Sequence, residues 1–443
     1  MQAREKLSFR HRALVWASAL IMLIGLSACD GIRFPDSLSW LQTPTPAEPE
    51  LTPTSPAETQ TTGTPGPTST PAANRLMVWL PPLMDPAANN DAAKLLKNRL
   101  DSFATSRGIS ITVRLKETNG PGSMLEALGA SKEAAPAAMP QLVVLDQFDL
   151  RTAADSALIH PNQGFASILQ EADWYGYARQ LAVWHNQTVG LPFLGDPLIM
   201  AYDAALLDRP PDEWNAMRIN IGKIGFAGDD PQGRFLLMLY FNEGGMIVEE
   251  DEENTILQVE PLAAALHLLR ETEMTSHIAD AALQIQTPEQ VWQGFDTWKY
   301  HYGIMPASAL LRGMDQTRTS KIVPTLTNPP ISLSTGLAWA VTALDPRQVE
   351  LAEELAAYLT ETEFLGEWSE AVKLLPARPS ALGAWSTGEM KASLEQASDG
   401  ALILPDKNVM DRIGPVLRNA TILILRDHAD AQETAKQAVE SLR

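Results

Sequence analysis

Cysteine is nearly absent from this chain: Cys29 is the only one in 443 residues. No internal disulfide can form, so the fold must rest on an apolar core, which about 370 residues readily supply. Histidine is scarce too, and the seven present, at 11, 160, 185, 267, 277, 301 and 428, show no H-E-x-x-H or other metal-ligand spacing. There is no G-x-S-x-G elbow, Walker-type phosphate loop or dinucleotide glycine fingerprint. Positive charge is in deficit, with 34 Lys and Arg against 54 Asp and Glu and a formal net charge of −20. Nucleic acid and anionic lipid both need a basic face to replace counterions, and the deficit disfavours both as partners. Long apolar runs are missing as well: Ala13 to Leu26 is too short to span a bilayer comfortably.

The N-terminus reads better as an export signal than as an uncut membrane helix. Arg4, Lys6, Arg10 and Arg12 form a basic region ahead of the apolar run, and Leu26-Ser27-Ala28-Cys29 follows it. These small residues before a cysteine resemble the bacterial lipobox. That resemblance implies removal of residues 1–28, lipidation of Cys29 and a protein held on the extracytoplasmic side of the cell membrane. Loss of residues 1–28 takes a charge of +3 away and leaves about −23 on the mature chain. Gln42 to Pro71 is almost wholly Pro, Thr, Ser, Glu and Gly, with Leu51 its only sizeable apolar residue. It cannot bury enough surface to offset chain entropy, and its prolines favour an extended stalk. Residues 29–74 therefore read as anchor and linker.

The folded part opens near Arg75. Leu76 to Leu80 is a short apolar run stopped by Pro81-Pro82, a buried strand. Asp91 to Phe103 places Leu96, Leu100 and Phe103 on one face of a helix. Ile109, Ile111, Val113 and Leu115 alternate as a second strand, 122–131 forms a short helix, and Gln141 to Leu145 is a third strand ending in Asp146-Gln147. Such β-α-β-α-β order predicts a parallel sheet covered on both faces, with ligand beyond the carboxyl ends of its strands.

His185-Asn186-Gln187-Thr188-Val189-Gly190-Leu191-Pro192-Phe193, followed by Pro197 to Leu207, resembles a segment of the bacterial extracellular solute-binding proteins of family 1, which include the maltodextrin-binding proteins of ABC importers. Asn242-Glu243-Gly244-Gly245-Met246, an acidic turn at 249–254 between two short strands, and the helix from Pro261 to Leu266 are similar to that family too. So are Ser334 to Val341, the helix Arg347 to Leu359, and Leu375-Pro376-Ala377-Arg378-Pro379. Two departures stand out. Tyr202-Asp203 replaces the usual Tyr-Asn, and Leu145-Asp146 stands where maltodextrin binders carry an aromatic residue, which weighs against a long glucan.

The resemblance implies a type II periplasmic-binding-protein-like α/β fold of two lobes, each a mainly parallel sheet flanked by helices, with the ligand in the cleft between them. Lobe 1 would comprise 75–195 and 328–370, and lobe 2 would comprise 196–327 and 371–443. Crossings would fall at 194–197 and 322–325. Trp79, Asp146, Gln147 and Asp196, with Gln232 and Arg234 from the opposing lobe, fall where the family places ligand contacts; Trp339, inside the apolar run 337–341, is a candidate for either the cleft or the core. Carbohydrate sites combine ring faces with planar polar groups, and these residues offer both. The expected function is capture of a solute, with a carbohydrate as foremost cargo, and its delivery to ABC permease subunits by a monomer that needs no cofactor or metal. Two rivals stand beside it: a receptor presenting its ligand to a sensor, and an extracellular glycoside hydrolase, which would need two carboxylates across a cleft. The acidic run 249–253 is better read as a solvated turn than as such a dyad or a calcium loop.

Overall fold

The computed structural model describes residues 74–205, 214, 222–249, 255–297, 299–314, 320–323, 330–386, 388 and 390–443. The signal, Cys29 and the proline-rich linker lie outside the described residues, as does the acidic turn 250–254. Among the described residues, ten strands form one sheet.

Its first part is the parallel unit that the sequence predicts. β1 (Arg75–Leu80) lies between β2 (Ser110–Leu115) and β3 (Leu142–Asp146), parallel to both. Leu76 to Leu80 are all buried, because helices cover both faces of a parallel sheet and leave no polar alternation to read. Helix α1 (Asp91–Arg107) connects β1 to β2. Asn90 caps it by accepting a hydrogen bond from the Ala93 N–H, Gly108 at φ 63° ends it, and Leu96, Leu100 and Phe103 turn inward. α2 (Gln147–Asp155) follows β3 directly.

Two long strands then join the halves of the molecule. β4 (Leu191–Asp203) runs through the predicted first crossing without a break, beside β8 (Ser332–Val341). β8 is antiparallel to both β3 and β4, so the sheet is mixed where it crosses over. Beyond the crossing, β6 (Tyr302–Pro306) pairs antiparallel with β4 and parallel with β5 (Ile224–Gly225). Here the sheet is buried on both faces, with Ile199, Ala201 and Met305 in one apolar cluster and Leu198, Met200 and Ile304 in a second. The second cluster is completed by α3 (Arg234–Asn242), α4 (Val259–Met274), α6 (Lys407–Asp427) and α7 (Ala431–Glu440). Helix α5 (Ala307–Gly313) follows β6 on the opposite side. The acidic run joins a hairpin in which Val248 pairs with Ile256.

Two expected boundaries are corrected. Ile322 and Val323 belong to β7 (Ser320–Val323), paired with Ala201 and Met200 of β4, while 324–325 lie outside the described residues. The second passage is made by β8, whose Leu333 sits in the second cluster and Ala338 in the first. The C-terminal switch falls at Ile403/Leu404 and not at 370. β9 (Leu375–Pro376) pairs with Leu194 and Gly195 of β4, Ala377 donates its N–H to the Phe193 carbonyl at 2.9 Å, and Arg378 pairs with Glu171 at 2.7 Å. β10 (Ala401–Ile403) then lies parallel to the start of β8. These ties hold most of the buried residues of 371–403 to the first cluster, Leu402 already packs against the second, and from Leu404 onward the buried apolar residues belong to the second.

Candidate functional site

A cleft of about 460 Å³ opens at the crossing, within the roughly 300–1,000 Å³ span of small-ligand sites. Five of the seven residues picked from sequence line it: Asp146, Gln147, Asp196, Gln232 and Arg234.

Asp146 ends β3 and caps α2, its Oδ1 accepting from the N–H groups of Phe148 at 2.8 Å and Asp149 at 2.9 Å. Gln147 is 2% exposed, and its Oε1 accepts from the Gly336 N–H of β8 at 3.0 Å. Asp196 lies in the middle of β4. Its carboxylate accepts from the Ser308 N–H at 2.9 Å and the Ser308 hydroxyl at 2.5 Å, which ties the crossing strand to the first turn of α5. Gly195 beside it has no room for a side chain, because a Cβ there would meet the Tyr177 ring and hydroxyl at 2.3–2.6 Å.

The opposing wall is a turn braced by its own acids. Asp230 is 1% exposed and accepts from Arg234 Nε at 2.8 Å, from Arg234 Nη2 at 3.3 Å and from the Gln232 N–H at 3.1 Å. Asp229 in turn accepts from Arg418 Nε of α6 at 2.7 Å. Lys407 and Asp411, one turn apart on α6 and 2.5 Å from each other, close the rim.

Trp79 and Trp339 are corrections, since both are 1% exposed and neither lines the cleft. Trp79 sits inside β1, paired with Arg114 and Val143, with Lys116 Nζ 4.7 Å from its ring. Trp339 stacks on Phe193 at 5.0 Å in the core. The sequence reading missed Phe148, Thr335, Lys407 and Asp411. Phe148 follows a picked pair and was the most accessible to reasoning. The Lys407–Asp411 spacing marks an exposed helix face, but nothing local says that the face meets a cleft built from distant upstream segments.

A sequence model described as bacterial extracellular solute-binding protein matches residues 98–393, two thirds of the chain. The chain belongs to the bacterial extracellular solute-binding proteins. No curated protein matches it significantly in sequence. Among solved structures it is similar to a cyclo/maltodextrin-binding protein complexed with maltotetraose (14% identity, TM-score 0.66, 85% of this chain and 98% of that one). It is similar as well to a cyclic alpha-maltosyl-1,6-maltose binding protein from Arthrobacter globiformis (15%, 0.63, 83% and 98%). A third is the GacH receptor of Streptomyces glaucescens (15%, 0.60, 83% and 97%). At such identities the likeness establishes the two-lobed type II α/β fold. Family and structural relatives alike are binding proteins and not enzymes. No group of three metal-ligating side chains is present among the described residues of this solute-binding protein, and no described helix is long and apolar enough to cross a membrane.

Burial sets the electrostatics of the cleft. It raises the Asp146 carboxyl above its ordinary value, against the two backbone N–H groups that favour the anion. It raises Asp196 to about 6, opposed by the Ser308 bonds and the charge of Arg312. Asp149 is pushed up to about 7, first by burial and then by the neighbouring charge of Asp146. A carboxyl with a raised folded pKa contributes stability that is complete below its unfolded value and is lost as pH rises through the folded one. The solute-binding protein should therefore lose thermal stability between pH 4 and 7 through these groups. Thermal unfolding of Asp149→Asn across that window should show a flatter profile, with the variant gaining on the parent at pH 8. Parallel profiles for the two proteins would refute the assignment.

Proposed function

We propose that this solute-binding protein is a lipid-anchored receptor that captures a carbohydrate outside the cytoplasmic membrane and delivers it to an ABC importer. The observation that carries the reading is the convergence of Asp146, Gln147, Asp196, Gln232 and Arg234, from segments nearly 90 residues apart, on one cleft. Solved structures of the same fold, among them the maltotetraose complex, support a sugar as cargo. The first lobe takes 75–195 with about 337–403, and the second takes 196 to about 333 with 404–443. Closure of these lobes about β4 and β8 would present the loaded form to a permease.

A thermal-shift screen against mono- and oligosaccharides tests the cargo, since a ligand at 100 times its Kd stabilises the fold by about 2.7 kcal/mol. Solution scattering at saturation should then show a smaller radius of gyration, and cells lacking the protein should take up less of the same sugar. A panel without any hit, or binding with an unchanged scattering curve, counts against the reading.

The anchor has its own test. Lipidation needs the Cys29 thiol, so Cys29→Ser should appear as an unprocessed or freely soluble protein while the parent partitions into detergent. A Ser variant with the parent's mass change and detergent partitioning would end the lipoprotein reading.

A further inference from the structure

The charges that line the cleft are unevenly committed. Arg234 is held by both oxygens of the buried Asp230, and Lys407 is paired with Asp411, so neither cation of the lining is free for an anionic ligand. Asp196 gives both carboxylate oxygens to Ser308. Asp146 is the exception. Its two hydrogen bonds both end on Oδ1, and Oδ2 has no partner among the described residues. Among the described residues no lysine or arginine pairs with it or with Asp149, which adds a second carboxylate one turn into the same helix. Gln147, next to it and 2% exposed, uses only its Oε1, and its Nε2 makes no hydrogen bond among the described residues.

The cleft thus presents a half-buried carboxylate oxygen, without a cation among the described residues, beside an uncommitted amide donor. Among the described residues its one aromatic lining residue is Phe148. A single ring supplies little stacking for a chain of sugar rings, so charge and hydrogen bonds must carry the recognition. A neutral sugar could offer Asp146 only a hydroxyl hydrogen bond and no counter-charge, the weaker of the two contacts. An anionic one would meet it directly.

We propose that the solute carries a protonated amine that seats against Asp146 Oδ2, with Gln147 donating to a neighbouring hydroxyl. The cargo class is an amino-substituted sugar. This rests on the carbohydrate reading above and narrows it: Asp146 selects amine over hydroxyl at one position of the ring, and Arg234 and Lys407 keep the opposing wall neutral through their own acids.

Calorimetry on the full mature chain tests this with glucosamine, galactosamine and the β-linked glucosamine disaccharide against glucose, galactose and cellobiose, with spermidine as an amine that is not a sugar. The amino sugars should bind at least tenfold more tightly than their hydroxyl counterparts. Asp146→Asn keeps an oxygen to cap α2, as does Asp146→Ser, so both should fold, and both should erase the preference. Hydroxyl sugars that bind as well as amino sugars, or a preference that survives in both variants, overturn the proposal and leave the carbohydrate reading standing. Spermidine binding without any sugar binding, lost in Asp146→Asn, supports the amine contact and sinks the carbohydrate reading. Absence of binding across the whole panel overturns both.

Discussion

Asp230→Ala should cost about 3–5 kcal/mol of stability, the range found when one partner of a buried ion pair is removed. The Arg234 side chain is 14% exposed and that of Asp230 2%. Without the carboxylate, Arg234 retains, among the described residues, only Glu289 at 3.9 Å, on an exposed side chain, as a distant counter-charge. The loss extends to the backbone, because Asp230 also accepts from the N–H groups of Gln232 and Arg234 and so fixes the turn that starts α3. Chemical denaturation should show the full effect in the single variant. In Asp230→Ala/Arg234→Met much of it should return, since what the single change leaves behind is mainly an uncompensated buried charge. A single-variant loss below about 1 kcal/mol would mean that the pair is far better solvated than its geometry states.

The same turn shows what was legible in the sequence and what was not. Asp146 and Gln147 could be found because a ligand site in a parallel sheet lies beyond the strand ends, and the apolar run 142–145 stops at that point. Gln232 and Arg234 came from their place before a helix in a family pattern. Trp79 occupies an equivalent strand end yet points into the core. A strand buried on both faces carries no alternation, so nothing in Leu76 to Leu80 tells one face from the other. Asp196 lines the cleft, but its bond to Ser308, 112 residues away, is a tertiary fact with no local signal. The return of the chain at Leu404 is of the same kind. The helices after 371 have ordinary amphipathic patterns, and which half of the molecule they cover depends on partners such as Glu171 and Phe193.

Gly414→Ala should damage the cleft from behind. Gly414 lies in α6 where the helix passes the turn 229–233, and a Cβ there would stand 2.6 Å from the Pro231 carbonyl oxygen and 2.9 Å from the Gln232 Cα. Both are backbone atoms, so no rotamer change relieves the clash and the turn must move off the helix. Overpacking of this kind costs about 1–3 kcal/mol. The turn has little freedom to yield. Gly233 sits at φ 59° with its own Cβ direction blocked by Leu417 of the same helix at 2.5 Å, and Arg418 holds Asp229 from the next turn. Any displacement is passed to Gln232 and Arg234, which line the cleft, so affinity for the cargo should fall by roughly tenfold, about 1.4 kcal/mol, in addition to the loss of stability. Gly129→Ala is the control: it is a helical glycine with nothing within 4 Å of the added methyl, and it should gain about 0.5–1 kcal/mol with binding unchanged. If Gly414→Ala bound its ligand like the parent while losing stability, the turn would be shown to tolerate displacement, and Gln232 and Arg234 would have to be removed from the binding surface.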